Sequence, residues 1–238
     1  MKNFISISKS IVKFLITPFI QYLENRKKTF IFQSKKYCYF YNRRNYTFIN
    51  ERAIEIPIFN RIVNKYKIGK ILEVGSTLWN YFHQDYHIVD KYDHSTGIIN
   101  MDILSYKPKF KYDLIISIST LEHVGWNENL YSAKKSKNNN DCFFKTIKHL
   151  ESLLSNKGVL IFSVPLGYNP FVDLSLTKNF KYFTELHFMQ RSYFKNQWKQ
   201  VKYKHIKNLK HNHILSYSNA IVVGVINKNI SYSNKSIF

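Results

Sequence analysis

Three acidic residues stand at or next to the ends of short apolar segments in the middle of the chain: Glu73, Asp90 and Asp102. Carboxylate oxygens accept hydrogen bonds from paired hydroxyls and from amines. They also favour a nearby cation, so an acidic edge in a basic protein is a local inversion of charge. The ends of these segments are therefore candidates for a ligand site.

The first of these segments, Lys70–Asn80, passes from an apolar run through a glycine into the start of a helix. The run has no polar side, which is typical of a parallel strand that is buried on both faces. Gly75 permits a sharp backbone turn, and Ser76 or Thr77 can cap the helix that follows. Because ligands of open α/β sheets lie beyond the carboxyl ends of the strands, we expect this turn to border a ligand site.

A candidate catalytic group follows the segment Tyr112–Ser119, which the pattern predicts to be a further strand. It is His123, in the pair Glu122–His123. A neutral imidazole, with an ordinary pKa of about 6.5, can take a proton from an attacking group. The alternative is a structural pair in which the histidine is hydrogen-bonded to the backbone.

The rest of the pattern supplies the elements that would position these groups. Besides the first strand, we predict strands over His87–Asp90, Gly97–Ile103, Tyr112–Ser119, Val159–Val164, Val201–Ile206 and Ala220–Ile226. We predict helices over Phe48–Tyr66 and Phe143–Leu154, with a break or kink at Pro57. The polar stretch Trp126–Asp141 is expected to be a loop, and Phe180–Phe194 a helix or loop that shields the sheet.

This order of strands and acids resembles the class I S-adenosylmethionine-dependent methyltransferases, over roughly Ile54 to Val164. The resemblance implies an α/β fold with a Rossmann-like, seven-stranded, mostly parallel sheet, an antiparallel last strand and helices on both faces. It implies S-adenosylmethionine as the cofactor, held by the loops after the first four strands. The function that it implies is transfer of the cofactor's methyl group to an oxygen or nitrogen acceptor.

The resemblance also implies which residues hold the cofactor: Glu73, Gly75, Ser76, Asp90, Asp102, Ile103, Ser119, Thr120 and Leu121. Glu73 and the Gly75 turn face the methionine part of the cofactor. Asp90 accepts both ribose hydroxyls, and Asp102 with the backbone of Ile103 holds adenine. Ser119, Thr120 and Leu121 close the pocket. The turn has one glycine where the family usually has several, so Ser76 has to tolerate a close approach of the ligand to the backbone.

The acceptor side is predicted from two shorter stretches. Asn50–Pro57 looks like the piece ahead of the first strand in small, poorly characterised methyltransferase-like proteins associated with cell-surface carbohydrate synthesis. By that analogy Glu51 and Arg52 reach the mouth of the active site; a surface salt bridge is the other interpretation. Tyr168 and Asn169 are candidate acceptor contacts, or part of a plain turn. We expect a glycan or another small molecule as the acceptor.

The N-terminal part is predicted to be an extension, residues 1–50, ahead of a methyltransferase-like domain, residues 51–238. Residues 4–23 have apolar side chains at helical spacing, with polar side chains on the opposite face. Lysines and Pro18 argue against a membrane span. Three interpretations stay open for this helix: peripheral contact with an anionic membrane surface, a targeting segment, or packing on its own domain.

The charge balance has two explanations. The chain carries 36 lysines and arginines against 15 acidic residues, and a net charge of +21 is typical of proteins that bind nucleic acid or anionic membranes. The basic, aromatic stretch Arg26–Tyr46 can track a phosphate backbone and stack bases, although such stretches more often form one or two short strands. Yet only six of the 36 are arginines. Lysine, asparagine, isoleucine, tyrosine and phenylalanine all have codons rich in A and T, so compositional drift is the favoured explanation.

Two alternatives to a small-molecule enzyme follow from these features. One is an RNA methyltransferase that uses the basic extension, although Ser119–Glu122 lacks the Pro-Pro-aromatic element of adenine-N6 enzymes. The other is a catalytically silent module of the same fold that binds a partner or a membrane. Cys38 and Cys142 match neither a disulfide framework nor a metal spacing, so we expect no metal and a reducing, cytoplasmic setting.

Overall fold

The computed structural model describes residues 28–66, 69–126, 141–192, 196–211 and 217–228. The strands in these ranges are β1 (Thr29–Phe32), β2 (Lys35–Cys38), β3 (Ile71–Val74), β4 (His87–Asp90), β5 (Ile99–Asn100), β6 (Tyr112–Ile118), β7 (Leu154–Pro165), β8 (Glu185–Arg191), β9 (Trp198–Val201) and β10 (Ala220–Asn227). The α-helices are α1 (Arg52–Lys65), α2 (Trp79–Phe82), α3 (Cys142–Leu153) and α4 (Pro170–Lys178). The predicted helix of residues 4–23 and nearly all of the predicted loop Trp126–Asp141 lie outside the described ranges. Within those ranges, none of the helices has the length and apolar character needed to cross a membrane.

Eight of the described strands form one sheet, in the order β5-β4-β3-β6-β7-β10-β8-β9. The first five strands in this order are parallel to one another. β10 lies between β7 and β8 and is antiparallel to both. The prediction of a Rossmann-like, mostly parallel sheet with an antiparallel last strand is confirmed, with eight strands in place of seven. The strand that the sequence does not predict is β8, which lies between β10 and the edge strand β9 and is antiparallel to both.

The centre of the sheet is buried on both faces. Ile115 and Leu160 belong to one cluster of buried side chains, and their neighbours Ile116 and Ile161 belong to another. Successive side chains of a strand point to opposite faces, so β6 and β7 supply both clusters. Helix α3 packs into the first cluster and helix α1 into the second. The strand ends that border the candidate site are therefore fixed by a core on each side.

The hairpin of β1 and β2 is part of this core. Phe30, Phe32 and Tyr37 are buried in the same cluster as α1, and Phe48 is buried as well. The hairpin confirms the prediction of short strands in the basic, aromatic stretch. Residues 29–48, which the sequence led us to set apart as an extension, share the core of the domain.

Helix α1 runs unbroken from Arg52 to Lys65 although Pro57 lies inside it. Proline has no N–H to donate to the carbonyl four residues earlier, which is that of Ala53. The Ala53 carbonyl instead accepts a hydrogen bond from the Phe40 N–H at 2.9 Å. The predicted break at Pro57 is therefore wrong, because the segment after the hairpin supplies the donor that proline lacks.

The C-terminal half of the sheet differs most from the sequence prediction. Within Phe180–Phe194, where we expect a helix or loop, Glu185–Arg191 forms β8. Phe188 and Met189 are buried on its two opposite faces, and the polar residues around them conceal the strand pattern. The strand expected at Val201–Ile206 is also misplaced, since β9 ends at the first of these residues and a turn of 3-10 helix follows.

Candidate functional site

A cavity of about 500 Å³ opens at the carboxyl ends of β3, β4 and β6. Its volume lies in the range of about 300–1,000 Å³ that is typical of sites for small ligands. Most of the predicted site residues line it: Gly75, Ser76, Asp90, Asp102, Ile103, Ser119, Thr120 and His123. Glu73 and Leu121 are not among the lining residues. The fold thus brings together side chains that are up to 48 positions apart (123 − 75) in the sequence.

The turn after β3 is shaped around Gly75. This residue has a φ of +82°, in the left-handed region that favours glycine. A β-carbon added to it would lie 2.3 Å from Thr120 Oγ1, so the side chain of Thr120 occupies the space that any other residue would need. The Gly75 N–H donates to the carbonyl of Val89 at 2.9 Å. Strands β3, β4 and β6 therefore meet at a position that only glycine fits.

Asp90 is held in place by backbone donors. Its Oδ2 accepts the N–H of Ser76 at 3.1 Å, and its Oδ1 accepts the N–H groups of Tyr92 at 2.8 Å and Asp93 at 2.9 Å. Each carboxylate oxygen has two lone pairs, so both sites of Oδ1 are in use and Oδ2 keeps one acceptor site for a ligand. The carboxylate at the end of β4 is thus ordered before any ligand arrives.

Asp102 and Ile103 lie on the neighbouring part of the cavity wall. Asp102 accepts the N–H of Leu104 at 3.0 Å and forms an ion pair with Lys91 at 3.0 Å. Both side chains of this pair are more than one third exposed, so the pair contributes little to stability. Ile103 is buried and gives this part of the wall an apolar surface.

Glu73 lies behind the turn rather than in the cavity, which corrects the expectation that it faces the ligand. Its carboxylate accepts the N–H groups of Leu78 at 2.5 Å and Trp79 at 3.1 Å and the hydroxyl of Tyr86 at 2.8 Å. Burial raises its pKa to about 7. These contacts give Glu73 the role of fixing the start of α2.

Leu121 is the second correction among the predicted site residues. It is fully buried in the cluster on the α3 face of the sheet. Ser119 and Thr120 do line the cavity, as expected. Ser119 has a φ of +38°, an uncommon value for serine, and its N–H donates to Ser163 O at 2.9 Å. The chain turns sharply at Ser119, and this turn directs the leucine away from the cavity.

Arg52 lines the cavity from the start of α1. Its Nη1 donates to Glu55 Oε2 at 2.9 Å and to the carbonyl of Ile118 at 3.1 Å, and its Nη2 donates to the carbonyl of Ser119 at 3.3 Å. Glu55 is fully buried and also accepts the Ser119 hydroxyl at 2.6 Å. The arginine of the pair Glu51–Arg52 therefore reaches the site. Glu51 is not a lining residue, and its carboxylate accepts the N–H of Ser218 at 2.9 Å.

His123 lines the cavity with a side chain that is 23% exposed. Its Nδ1 lies 3.5 Å from the hydroxyl of Tyr168, and its Nε2 lies 3.7 Å from Oε1 of Glu122. Burial and the positive charge of Arg52 lower the pKa of His123 to about 4, and burial raises the pKa of Glu122 well above its ordinary value. The imidazole is therefore neutral at pH 7.

Asn169 holds the loop that carries His123. Its Nδ2 donates to the carbonyl of Glu122 at 2.8 Å, and its Oδ1 accepts the N–H of Phe171 at the start of α4. The residue is buried, so these contacts give it a structural role. Tyr168, the other predicted acceptor contact, lies against the ring of His123 with the ring centroids 5.1 Å apart.

The sequence analysis missed several polar residues of the cavity wall, among them Asn45, Asn80 and Asp93. Asp93 follows a predicted strand end by three residues, and this spacing was the available signal. Asn80 lies one turn of helix after Ser76, on the same side of the turn. Asn45 had no local signal, because its place depends on how residues 44–49 fold back over the cavity.

Metal-binding side chains do not cluster in the ranges that the structure describes, where no group of three or more histidines, cysteines or acids is placed to hold an ion. Cys38 is exposed and Cys142 is buried, and neither is in a disulfide.

Comparisons with known proteins give matches among solved structures alone. No family model matches the sequence, and no curated protein matches it. The solved structures include N-methyltransferase NodS from Bradyrhizobium japonicum WM9 in complex with S-adenosyl-L-homocysteine. It is 10% identical, the match covers 74% of this chain and 90% of that one, and the TM-score is 0.42.

Two further solved structures show the same level of similarity. TehB from Haemophilus influenzae is 13% identical over 75% of this chain and 65% of its own, with a TM-score of 0.41. An S-adenosylmethionine-dependent methyltransferase from Clostridium acetobutylicum ATCC 824 is 12% identical over 71% of this chain and 87% of its own, with a TM-score of 0.37. We base the functional conclusion on the geometry of the cavity.

Proposed function

We propose that this chain is a methyltransferase that uses S-adenosylmethionine, and that the cavity at the ends of β3, β4 and β6 holds this cofactor. One observation carries the proposal: Asp90, Asp102 and the Gly75 turn, each expected to contact a different part of the same molecule, line one cavity of about 500 Å³. If these residues bound different ligands, they would not be expected to line the same cavity.

The donors and acceptors of the cavity match the chemistry of the cofactor. Asp90 would accept a ribose hydroxyl through the remaining acceptor site of Oδ2, and Asp102 with Ile103 would hold adenine through its amine and its apolar face. Arg52 offers a guanidinium to the carboxylate of the methionine part. The turn at Gly75 has a left-handed backbone and no β-carbon, so it can lie close to the ligand.

When bound, S-adenosylmethionine supplies a methyl group on a positively charged sulfur. The chain's own task is to orient an acceptor and to take up its proton. Orientation of reacting groups alone can supply about 7–11 kcal/mol, so a reactive side chain is not required. His123 is our candidate for the proton acceptor, because it is neutral and lines the cavity.

For the acceptor we propose an oxygen or nitrogen atom of a glycan or another small molecule. The support is the resemblance of Asn50–Pro57 to proteins associated with cell-surface carbohydrate synthesis. We place the reaction in the cytoplasm, with peripheral membrane contact through residues 4–23 as a further proposal. Retention on RNA that falls steeply with salt would instead favour RNA as the acceptor.

A specific observation favours a second candidate function, the catalytically silent module of the same fold that binds a partner or a membrane. Both ring nitrogens of His123 are directed at protein groups, Nδ1 at Tyr168 and Nε2 at Glu122. In that function the histidine would fix the loop after β6. A His123→Gln variant separates the two. In an enzyme it loses turnover with any acceptor found, while in the module the wild type shows no turnover and the variant loses only thermal stability, because the loop after β6 is less well held.

Binding of S-adenosylhomocysteine, measured by calorimetry, tests the proposed function. We expect binding by the wild type and a loss of affinity of at least about 10-fold in Asp90→Ala, because hydrogen bonds to a charged group contribute about 1.5–3 kcal/mol. Asp85→Ala is the matched control, since it removes an exposed carboxylate near the same strand but outside the cavity. The absence of binding by the wild type would contradict the proposal.

A further inference from the structure

The turn after β3 has a serine next to its only glycine, and that serine borders the ligand site. Ser76 is buried to 7% exposure and lines the cavity. A serine side chain has three staggered positions, and its hydroxyl readily bonds to nearby backbone groups. In a turn that has to lie close to a ligand, a hydroxyl free to rotate would compete with the ligand for space and for the backbone N–H groups.

The hydroxyl of Ser76 is held by two side chains. Its Oγ donates to Oδ2 of Asp93 at 2.6 Å and accepts a hydrogen bond from Nδ2 of Asn80 at 3.1 Å. The same Nδ2 also donates to the Ser76 carbonyl at 2.6 Å. The only donor of the hydroxyl and one of its acceptor sites are therefore in use, and its direction is fixed.

Asp93 is itself held on the wall. Its N–H donates to Asp90 Oδ1 at 2.9 Å, and its Oδ1 accepts the N–H of Ser95 at 3.0 Å. Burial alone would raise its pKa, but the hydrogen bonds from Ser76 and Ser95 keep the pKa below the ordinary value of an aspartate. The acceptor of the Ser76 hydroxyl is therefore an ionised carboxylate, and bonds to ionised groups are the stronger ones.

Asn80 is oriented from its other side. Arg44 donates through Nη1 to the Asn80 carbonyl at 2.7 Å and through Nη2 to Asn80 Oδ1. Because an arginine can only donate, it requires the amide oxygen to face it, and the amide nitrogen then faces Ser76. An alternating row of donors and acceptors thus runs from Arg44 through Asn80 and Ser76 to Asp93.

We propose that Asp93 is a positioning residue that holds the Ser76 side chain away from the ligand, so that the turn can accept the cofactor with one glycine. The inference rests on the proposed function. It explains why a serine is tolerated next to Gly75. The Ser76 hydroxyl points into the cavity wall because it donates to the Asp93 carboxylate, which belongs to the same wall. A direct consequence is that Asp93 matters only while residue 76 is a serine.

Four proteins test this dependence: the wild type, Asp93→Ala, Ser76→Gly and the double variant. The Kd of S-adenosylhomocysteine is measured for each by calorimetry, with a thermal melt to confirm folding. We expect Asp93→Ala to weaken binding about 10-fold when residue 76 is serine and by less than about 3-fold when it is glycine. Rescue by a glycine is not expected for an aspartate that touches the ligand itself.

An equal loss in both backgrounds would overturn the inference, since it would mean that Asp93 contacts the ligand directly. If Asp93→Ala fails to fold, Asp93→Asn takes its place, because an amide oxygen still accepts the Ser76 hydroxyl but without the charge. We expect Asp93→Asn to bind about 3-fold more weakly than the wild type, and to lose no affinity in the Ser76→Gly background. Wild-type protein that binds no S-adenosylhomocysteine would refute the proposed function, and this inference with it.

Discussion

The two sides of the cavity hold their charged groups in different ways. At the end of β4, Asp90 and Asp93 are partly exposed and are ordered by backbone N–H groups and a serine hydroxyl. At the end of β6, Glu55 and Glu122 are almost fully buried, and Arg52 and His123 are less than one quarter exposed. One side is a set of ordered, partly hydrated acceptors, and the other is a set of buried ionisable groups.

This difference separates recognition from reactivity. Partly hydrated carboxylates keep their charge and bind by hydrogen bonds, which suits the uncharged donors of a ligand. Charges interact more strongly in the low dielectric constant of a protein interior, and burial removes the water that stabilises an ionised group. The pKa values of buried groups therefore move far from the ordinary ones. Buried groups with shifted pKa values cluster at functional sites, so we assign the reacting end of the ligand to the β6 side.

Removal of Arg52 should give the largest effect on stability. Arg52→Met leaves the buried carboxylate of Glu55 without its cation, and we expect a loss of about 3–5 kcal/mol in the free energy of unfolding, measured in urea. The matched control is Lys91→Met, which breaks the exposed pair with Asp102 and should cost less than about 1 kcal/mol. Equal losses for the two variants would contradict the contrast between the two sides.

Gly75→Ala should destabilise the protein by about 3 kcal/mol, because it combines a left-handed backbone with a clash against Thr120. It should also abolish binding of S-adenosylhomocysteine. Gly97→Ala isolates the backbone cost, since Gly97 has a φ of +90° and its added β-carbon would meet no atom within 4 Å. We expect about 1 kcal/mol there. If thermal melts show the same loss of stability for Gly75→Ala and Gly97→Ala, Gly75 does not fit tightly against Thr120.

The pKa of His123 should make the stability depend on pH in a predictable direction. The folded protein keeps this histidine neutral down to about pH 4, while the unfolded chain binds a proton below about pH 6.5. Stability is therefore lost as the pH falls through this window. Between pH 6.5 and 4.5 we expect the wild type to lose about 2 kcal/mol relative to His123→Gln in urea unfolding.

Glu73 should act in the opposite direction. Its folded pKa of about 7 lies above the ordinary value of 4.5, so the folded state holds the proton longer and stability falls as the pH rises between these values. Comparison of Glu73→Gln with the wild type over the same range isolates this contribution. For His123 the contradicting result is a difference in the free energy of unfolding, between the wild type and His123→Gln, that does not change with pH. Such a result would mean that the histidine is exposed to water.

The smallest effect is expected from Glu122→Gln. Burial raises the pKa of Glu122 well above its ordinary value and so favours the uncharged form, and glutamine has nearly the same shape as that form. We expect a change below about 0.5 kcal/mol in the free energy of unfolding. A loss above about 2 kcal/mol at pH 7 would indicate an ionised carboxylate paired with His123.

Local patterns were sufficient to predict the parts of the site that depend on short segments. The Gly75 turn and the acids Asp90 and Asp102 stand at strand ends, and a sequence shows where an apolar run stops. It does not show the direction of a side chain in a strand that is buried on both faces. The expectation that Glu73 faces the ligand is wrong for this reason. Leu121 lies in the 3-10 turn after β6, and its direction follows from the positive φ of Ser119, which the sequence does not show.

Other features depend on contacts that no local pattern contains. Pro57 is tolerated because Phe40 donates to the Ala53 carbonyl, and this donor lies 13 residues before that acceptor (53 − 40). The function of Asp93 depends on Ser76, 17 residues earlier. β8 was missed since its buried residues, Phe188 and Met189, are adjacent and face opposite sides of the sheet.

A crystal structure of the chain with S-adenosylhomocysteine tests the central claim most directly. We expect the nucleoside to lie between Asp90 and Asp102, with a ribose hydroxyl within hydrogen-bond distance of Asp90 Oδ2 and the sulfur on the β6 side, near His123. A ligand bound elsewhere, or an empty cavity at saturating ligand, would contradict the assignment of this cavity to the cofactor.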